Sequence, residues 1–251
     1  MTPEPELIVR HNLGLVMKLY DSVSGKSITD RSVRFSLSGN MKPPLSKEAG
    51  TYLFLNIPKD NFDFEVNVHG YEPMSGRIDF AEIGERLPLK ELFMIPLESS
   101  DSPRTFLTVS GKLEGIEEIE AVPTFEAICN VKEFNSRKLQ LTLYNPRNAA
   151  LSQVHYGLLD NQGEYYDKIE IVEEISPSKL ILKSIPEHSC VVNQRVMKII
   201  HGQIKQDGTY LLKVAESSQA EYLLRYVVNK TVYFQRMDFH QPEELRIEKE
   251  E

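Results

Sequence analysis

The sequence predicts an all-β protein, with two β-sandwich-like domains in tandem. Several segments alternate apolar and polar residues, the period of a strand with one wet face; Ser32 to Ser38 and Phe62 to Val68 are the clearest. Short apolar runs recur at roughly 8–12-residue spacing between Gly, Pro, Asn and Asp turns, as sandwiches and barrels require. Helical periodicity is nearly absent. Phe80 to Leu92 has room for one turn, but Gly84 and Pro88 break it.

In chain order, Leu13 to Tyr20 is an apolar run interrupted only by Gly14 and Lys18, and a Ser/Gly turn follows it. Ser32 to Ser38 points Val33, Phe35 and Leu37 one way. Thr51 to Leu55 starts after Gly50 and ends before Pro58. Phe62 to Val68 places Phe62, Phe64, Val66 and Val68 on one face and stops at Gly70. Leu92 to Leu97 is the last strand of the first half. Phe35 and Phe64 are expected in the core.

The polar, Ser-rich stretch from Glu98 to Arg104 is the expected linker. Beyond it the sequence predicts strands at Thr105–Val109, Thr124–Val131, Lys138–Tyr144, Val154–Leu159, Tyr165–Val172, Leu180–Ile185, Val191–Ile204 and Tyr210–Val214. The last two, Glu221–Val228 and Thr231–Phe239, flank Asn229-Lys230, a candidate two-residue hairpin turn. The predicted plan is a domain at 1–98, a second at 104–240, and a charged tail at 241–251 expected to be flexible, with Glu243 to Glu251 dispensable for folding.

Within the first domain, the turn grammar runs Leu19-Tyr20-Asp21-Ser22-Val23-Ser24-Gly25-Lys26, then Val33-Arg34-Phe35, Ala49-Gly50-Thr51-Tyr52-Leu53-Phe54, Ile57-Pro58, and Phe64 to Gly70-Tyr71-Glu72-Pro73. On these residues Val16 to Phe80 resembles the carboxypeptidase-regulatory-like (transthyretin-like) family of β-sandwich domains. Two features depart from its pattern: the long loop Gly39 to Glu48 with Pro43-Pro44, and Lys59-Asp60-Asn61 after Pro58. The resemblance implies a sandwich with an accessory, adhesive or scaffolding role. It carries over no catalytic residue, and the second half resembles no family.

The 251-residue chain carries a formal net charge of −8, half of it in the last fourteen residues. No basic patch appears, which argues against nucleic acid as a partner. The N-terminus lacks the charged and apolar regions of a secretion signal, and no apolar stretch approaches a membrane span. A cytoplasmic protein is expected.

Cys129 lies in an apolar stretch and reads as a buried small hydrophobe. His188 and Cys190, two apart, share a face if extended and are the one candidate catalytic pair, either a Cys/His hydrolase centre or half a zinc site. A loop after Pro186 running into a strand is the preferred reading of the spacing. The acid pairs Glu117-Glu118, Glu173-Glu174 and Glu243-Glu244 point to opposite faces when extended, so they read as solvated positions; a calcium site built from several loops stays open. Ser24-Gly25-Lys26-Ser27 lacks the first Gly of a phosphate loop.

Most of the eleven Tyr lie in the second half, which suggests an interface or a sugar-stacking face, or ordinary cross-strand packing. The expectation is a non-enzymatic structural or adaptor protein with protein partners, no cofactor and no metal site. The context would be a bacterial phage-tail-like or surface assembly. The candidate interface is the C-terminal hairpin: Tyr222, Arg225, Tyr226, Tyr233, Gln235 and Arg236. A carbohydrate-binding module is the alternative.

Overall fold

A computed structural model describes residues 11–29, 32–38, 42–81, 83, 88–98, 105–149, 151, 155–188 and 190–245. The N-terminal stretch 1–10, the linker residues 99–104 and the tail residues 246–251 lie outside it, as do 82 and 84–87 of the segment read as a candidate helical turn. The described residues form twenty strands and no helix, so none is long and apolar enough to cross a membrane. The all-β class is as the sequence predicts. Two compact units form: Met1–Tyr20 with Ser27–Leu92, and Asp21–Lys26 with Phe93–Glu251. The division falls between Leu92 and Phe93, inside a strand and ahead of the polar stretch read as the linker.

The first unit contains β1 (Leu13–Asp21), β2 (Arg34–Leu37), β3 (Leu45–Lys47), β4 (Thr51–Leu55), β5 (Phe62–Asn67), β6 (Met74–Ile78) and β7 (Leu89–Met94), the ends of β1 and β7 running past its limits. They build a sheet in the order β3-β4-β1-β7 and a second in the order β2-β5-β6. The alternation of β5 is realised fully: Phe62, Phe64 and Val66 are buried and the residues between them are not. Phe35 on β2 sets its ring 4.8 Å from Tyr52 and 5.4 Å from Phe54 on β4, so the two sheets share an aromatic core. Phe35 is only half-buried, unlike Phe64.

The second unit contains β8 (Phe106–Lys112), β9 (Ile116–Pro123), β10 (Cys129–Asn135), β11 (Gln140–Tyr144), β12 (His155–Leu159), β13 (Tyr166–Ser176), β14 (Lys179–Leu182), β15 (Arg195–Lys198), β16 (Ile200–His201), β17 (Gln203–Ile204), β18 (Thr209–Ala215), β19 (Glu221–Val228) and β20 (Thr231–Asp238). It contains a closed six-stranded barrel, β10-β11-β14-β13-β12-β15, and two open sheets, β16-β9-β19-β20 and β17-β18-β8. This is more elaborate than the second sandwich expected from the sequence. Val131, Leu141, Tyr156, Ile169, Leu180 and Val196 belong to the cluster that fills the barrel.

The sheet around β9 and β19 is buried on both faces. Ile119, Ala121, Tyr222, Leu224 and Tyr226 pack in one cluster with Val109, Tyr210, Leu212 and Val214 of the β17-β18-β8 sheet. The alternate residues Val122 and Leu223 pack with Leu159, Tyr166 and Met197 from the barrel. Gly157 permits that approach: a Cβ there would lie 3.0 Å from both Tyr166 Cδ2 and Val122 Cγ1. The β19–β20 reversal has φ of 48° at Asn229 and 67° at Lys230, the two-residue turn the sequence suggests. Within the candidate tail, Gln235 Nε2 donates to the carbonyl of Glu244 at 3.2 Å, and Leu245 packs on the core.

Candidate functional site

The most deeply buried charge, Glu120, lies where β9 faces the barrel. Glu118 and Glu120 are two apart on β9 and so share a face. Glu120 is paired in register with His201 on β16 and with Arg225 on β19. Lys168 reaches over from β13, its Nζ 2.6 Å from Glu118 Oε1 and 2.5 Å from Glu120 Oε1. Arg225 Nη1 donates to Glu118 Oε2 at 2.5 Å and lies 3.5 Å from Glu120 Oε2. His201 Nδ1 is 2.9 Å from Glu120 Oε1, and its ring stacks on Phe93 at 3.6 Å.

Burial alone would push the Glu120 carboxyl up. Lys168 and His201 outweigh it and hold the group well below the usual carboxylate range. The same attraction from Glu120 and Glu118 raises Lys168 against its own burial. Nearby, burial and then the Lys168 charge push His155 down to about 3. Two carboxylates therefore answer two permanent cations. The network fastens the barrel to the sheet and leaves its charges satisfied.

Asp167 bears on both His188 and Cys190. The His188 amide donates to Asp167 Oδ2 at 2.8 Å, and its Nδ1 lies 2.6 Å from Oδ1. That hydrogen bond raises the His188 pKa. Burial, with the Asp167 charge adding, pushes the Cys190 thiol up to about 11, so it is protonated at neutral pH. Asp167, Glu187 and His188 present ligand atoms within 4.8 Å of one another, yet both oxygens of Asp167 already engage His188.

The six residues of the candidate interface are placed as follows. Tyr222 and Tyr226 are buried in the core. Arg225 belongs to the ion-pair network. Tyr233 is half-buried and stacks on Tyr226 at 5.5 Å, and Gln235 holds the carbonyl of Glu244. Arg236 alone is exposed at a cleft. β19 is hydrogen-bonded on both sides, and β20 is the outer strand of its sheet.

That cleft, about 400 Å³ in volume, lies between the β12–β13 loop, β15, and the β19–β20 hairpin. Asp160 organises its loop, accepting from the amides of Gln162, Glu164 and Tyr165 at 3.1, 2.7 and 3.2 Å. The loop carbonyls then fix Arg236, whose Nε and Nη2 donate to Gly163 O at 3.2 and 3.0 Å and whose Nη2 donates to Gln162 O at 2.7 Å. Arg195 on β15 donates from Nη1 to Thr124 O at 2.7 Å. Sequence reasoning flagged Arg236 and missed Arg195, which no local pattern marks. A second cleft, in the first unit, is bordered by Arg34, Phe35, Pro43, Pro44 and Tyr52.

Compared with models of known protein families, the chain matches none. Compared with curated proteins, it again finds no match.

Proposed function

We propose that the chain is a non-enzymatic structural or adaptor protein that makes protein–protein contacts, in an assembly of the bacterial phage-tail-like or surface type. On this reading the first unit is a transthyretin-like sandwich serving as spacer or second contact. The observation that carries the reading is how unit two disposes of its groups. Its most deeply buried carboxylate, Glu120, is matched by Lys168 and Arg225, and burial keeps its candidate nucleophile, Cys190, a thiol. Meanwhile large apolar side chains stay in water: Val172 and Ile175 on β13 are 65 % and 53 % exposed, and Tyr144 is 65 % exposed. Soluble folds that keep such residues uncovered commonly use them against a partner.

Affinity capture with the full chain, paired with a Val172→Glu/Ile175→Glu variant, tests this. A partner held by the parent and lost by the variant supports the contact role. Alkylation of Cys190 by iodoacetamide faster than free cysteine, with capture unchanged in the variant, overturns it.

A further inference from the structure

We infer that the cleft between Arg195 and Arg236 is a binding site for a compact oxyanion, a carboxylate or a phosphate group carried by a small molecule. The inference does not rest on the adaptor reading. Its basis is two guanidinium groups converging on one point. A Cβ built on Gly163 would sit 3.2 Å from Arg236 Nη2 and 3.5 Å from Arg195 Nη2. The two Nη2 atoms are therefore less than about 7 Å apart, a span that one oxyanion in the cleft can bridge, and the absence of a side chain on Gly163 is what lets both come so close.

Both forks are held in place before any ligand arrives. Arg236 is braced by the carbonyls of Gln162 and Gly163, on a loop that the buried Asp160 carboxylate ties together; Arg195 is braced by the carbonyl of Thr124. Carbonyls orient a guanidinium without cancelling its charge. Among the described residues neither arginine forms an ion pair with a carboxylate, whereas Arg225 on the same sheet forms two. Two positive charges this close repel each other, and the repulsion grows where protein displaces water. A bound oxyanion lessens that repulsion; at Arg236, whose Nε and Nη2 hydrogens go to the carbonyls, Nη1 is left to donate, and Arg195 keeps its Nη2 hydrogens.

The rest of the wall limits the ligand. Phe125 offers an apolar side, its ring held edge-on against Tyr222 at 5.7 Å. Glu221 also borders the cleft, which disfavours long polyanions and favours a single anionic group. A volume of about 400 Å³ suits a metabolite-sized molecule.

Isothermal titration of the full chain with inorganic phosphate, and separately with acetate, at constant ionic strength tests the inference. Saturable binding is expected for at least one anion, weakened at least tenfold in Arg236→Gln and likewise in Arg195→Gln. Preference for phosphate assigns a phosphate-bearing ligand, and preference for acetate a carboxylate-bearing one. Should Arg195→Gln fail to fold, Arg236→Gln decides, because its side chain is exposed. Absence of saturation by either anion up to about 10 mM, or binding unchanged in Arg236→Gln, overturns the site.

Discussion

Arg225 and Arg236 stand on neighbouring strands, β19 and β20, and on the same face of one sheet, since Arg225 faces Phe234 and Leu223 faces Arg236 in register. Their surroundings differ completely. Arg225 meets Glu118 and Glu120, whose spacing on β9 places both carboxylates beside it. Among the described residues, Arg236 is hydrogen-bonded to carbonyl oxygens, with a second arginine across Gly163. A cation answered by carboxylates holds the fold together. A cation merely held in position by carbonyls keeps its charge for something else.

If this contrast is right, the largest loss of stability comes from the answered set. Glu120→Ala leaves Lys168 and Arg225 partly buried without their deepest partner, and it should cost about 3–5 kcal/mol in urea denaturation. A loss below about 1 kcal/mol would mean that water already screens the network. Gly157→Ala probes the same junction without touching charge. Its new methyl meets Tyr166 and Val122 at 3.0 Å, so a destabilisation of about 2–3 kcal/mol is expected; a neutral outcome would show that the barrel and sheet can separate at little cost.

A smaller effect comes with acid. His155 is held near 3 in the folded state, from an ordinary 6.5, by burial first and the Lys168 charge next. The unfolded chain takes up a proton below pH 6.5 that the folded chain refuses, so the His155 contribution removes about 2 kcal/mol of stability as pH drops from 7 toward 5, while the raised His188 acts in the opposite direction. His155→Gln should flatten that slope, and an unchanged slope would assign it to another group. The depressed Glu120 contributes in the same direction only at lower pH: its stabilisation is present above its ordinary 4.5 and is lost as pH falls toward its folded value. The smallest effect is expected at the cleft, where Arg236→Gln should change stability by less than about 1 kcal/mol, as for exposed charges generally.

Much of the fold was legible because alternation is a local signal. β4 and β19 match the predicted ranges, and the Asn229-Lys230 turn follows from the tolerance of Asn for left-handed backbone. β9 was not legible. Its acids, Glu117, Glu118 and Glu120, disguise a strand buried on both faces, and weighing adjacent acids hides the pair that converges, Glu118 with Glu120. Barrel closure was not legible either, because it depends on which distant strands pair, such as β10 with β15. Tyr content left a surface face and ordinary cross-strand packing both open, and burial of Tyr156, Tyr166, Tyr210, Tyr222 and Tyr226 assigns those rings to the core. Of the cleft, Arg236 was visible as a polar position on a hairpin; its partner Arg195 becomes its neighbour only through the tertiary fold.

The contrast between the two arginines is tested most directly by thermal unfolding of the parent, Arg225→Gln and Arg236→Gln, each with and without saturating phosphate or acetate. A crossover is expected. Arg225→Gln melts well below the parent but keeps the upward shift that the anion produces. Arg236→Gln melts within a degree or two of the parent and loses that shift. If Arg236→Gln melts as low as Arg225→Gln, or if the anion stabilises all three chains equally, the two arginines do the same work and the account is wrong.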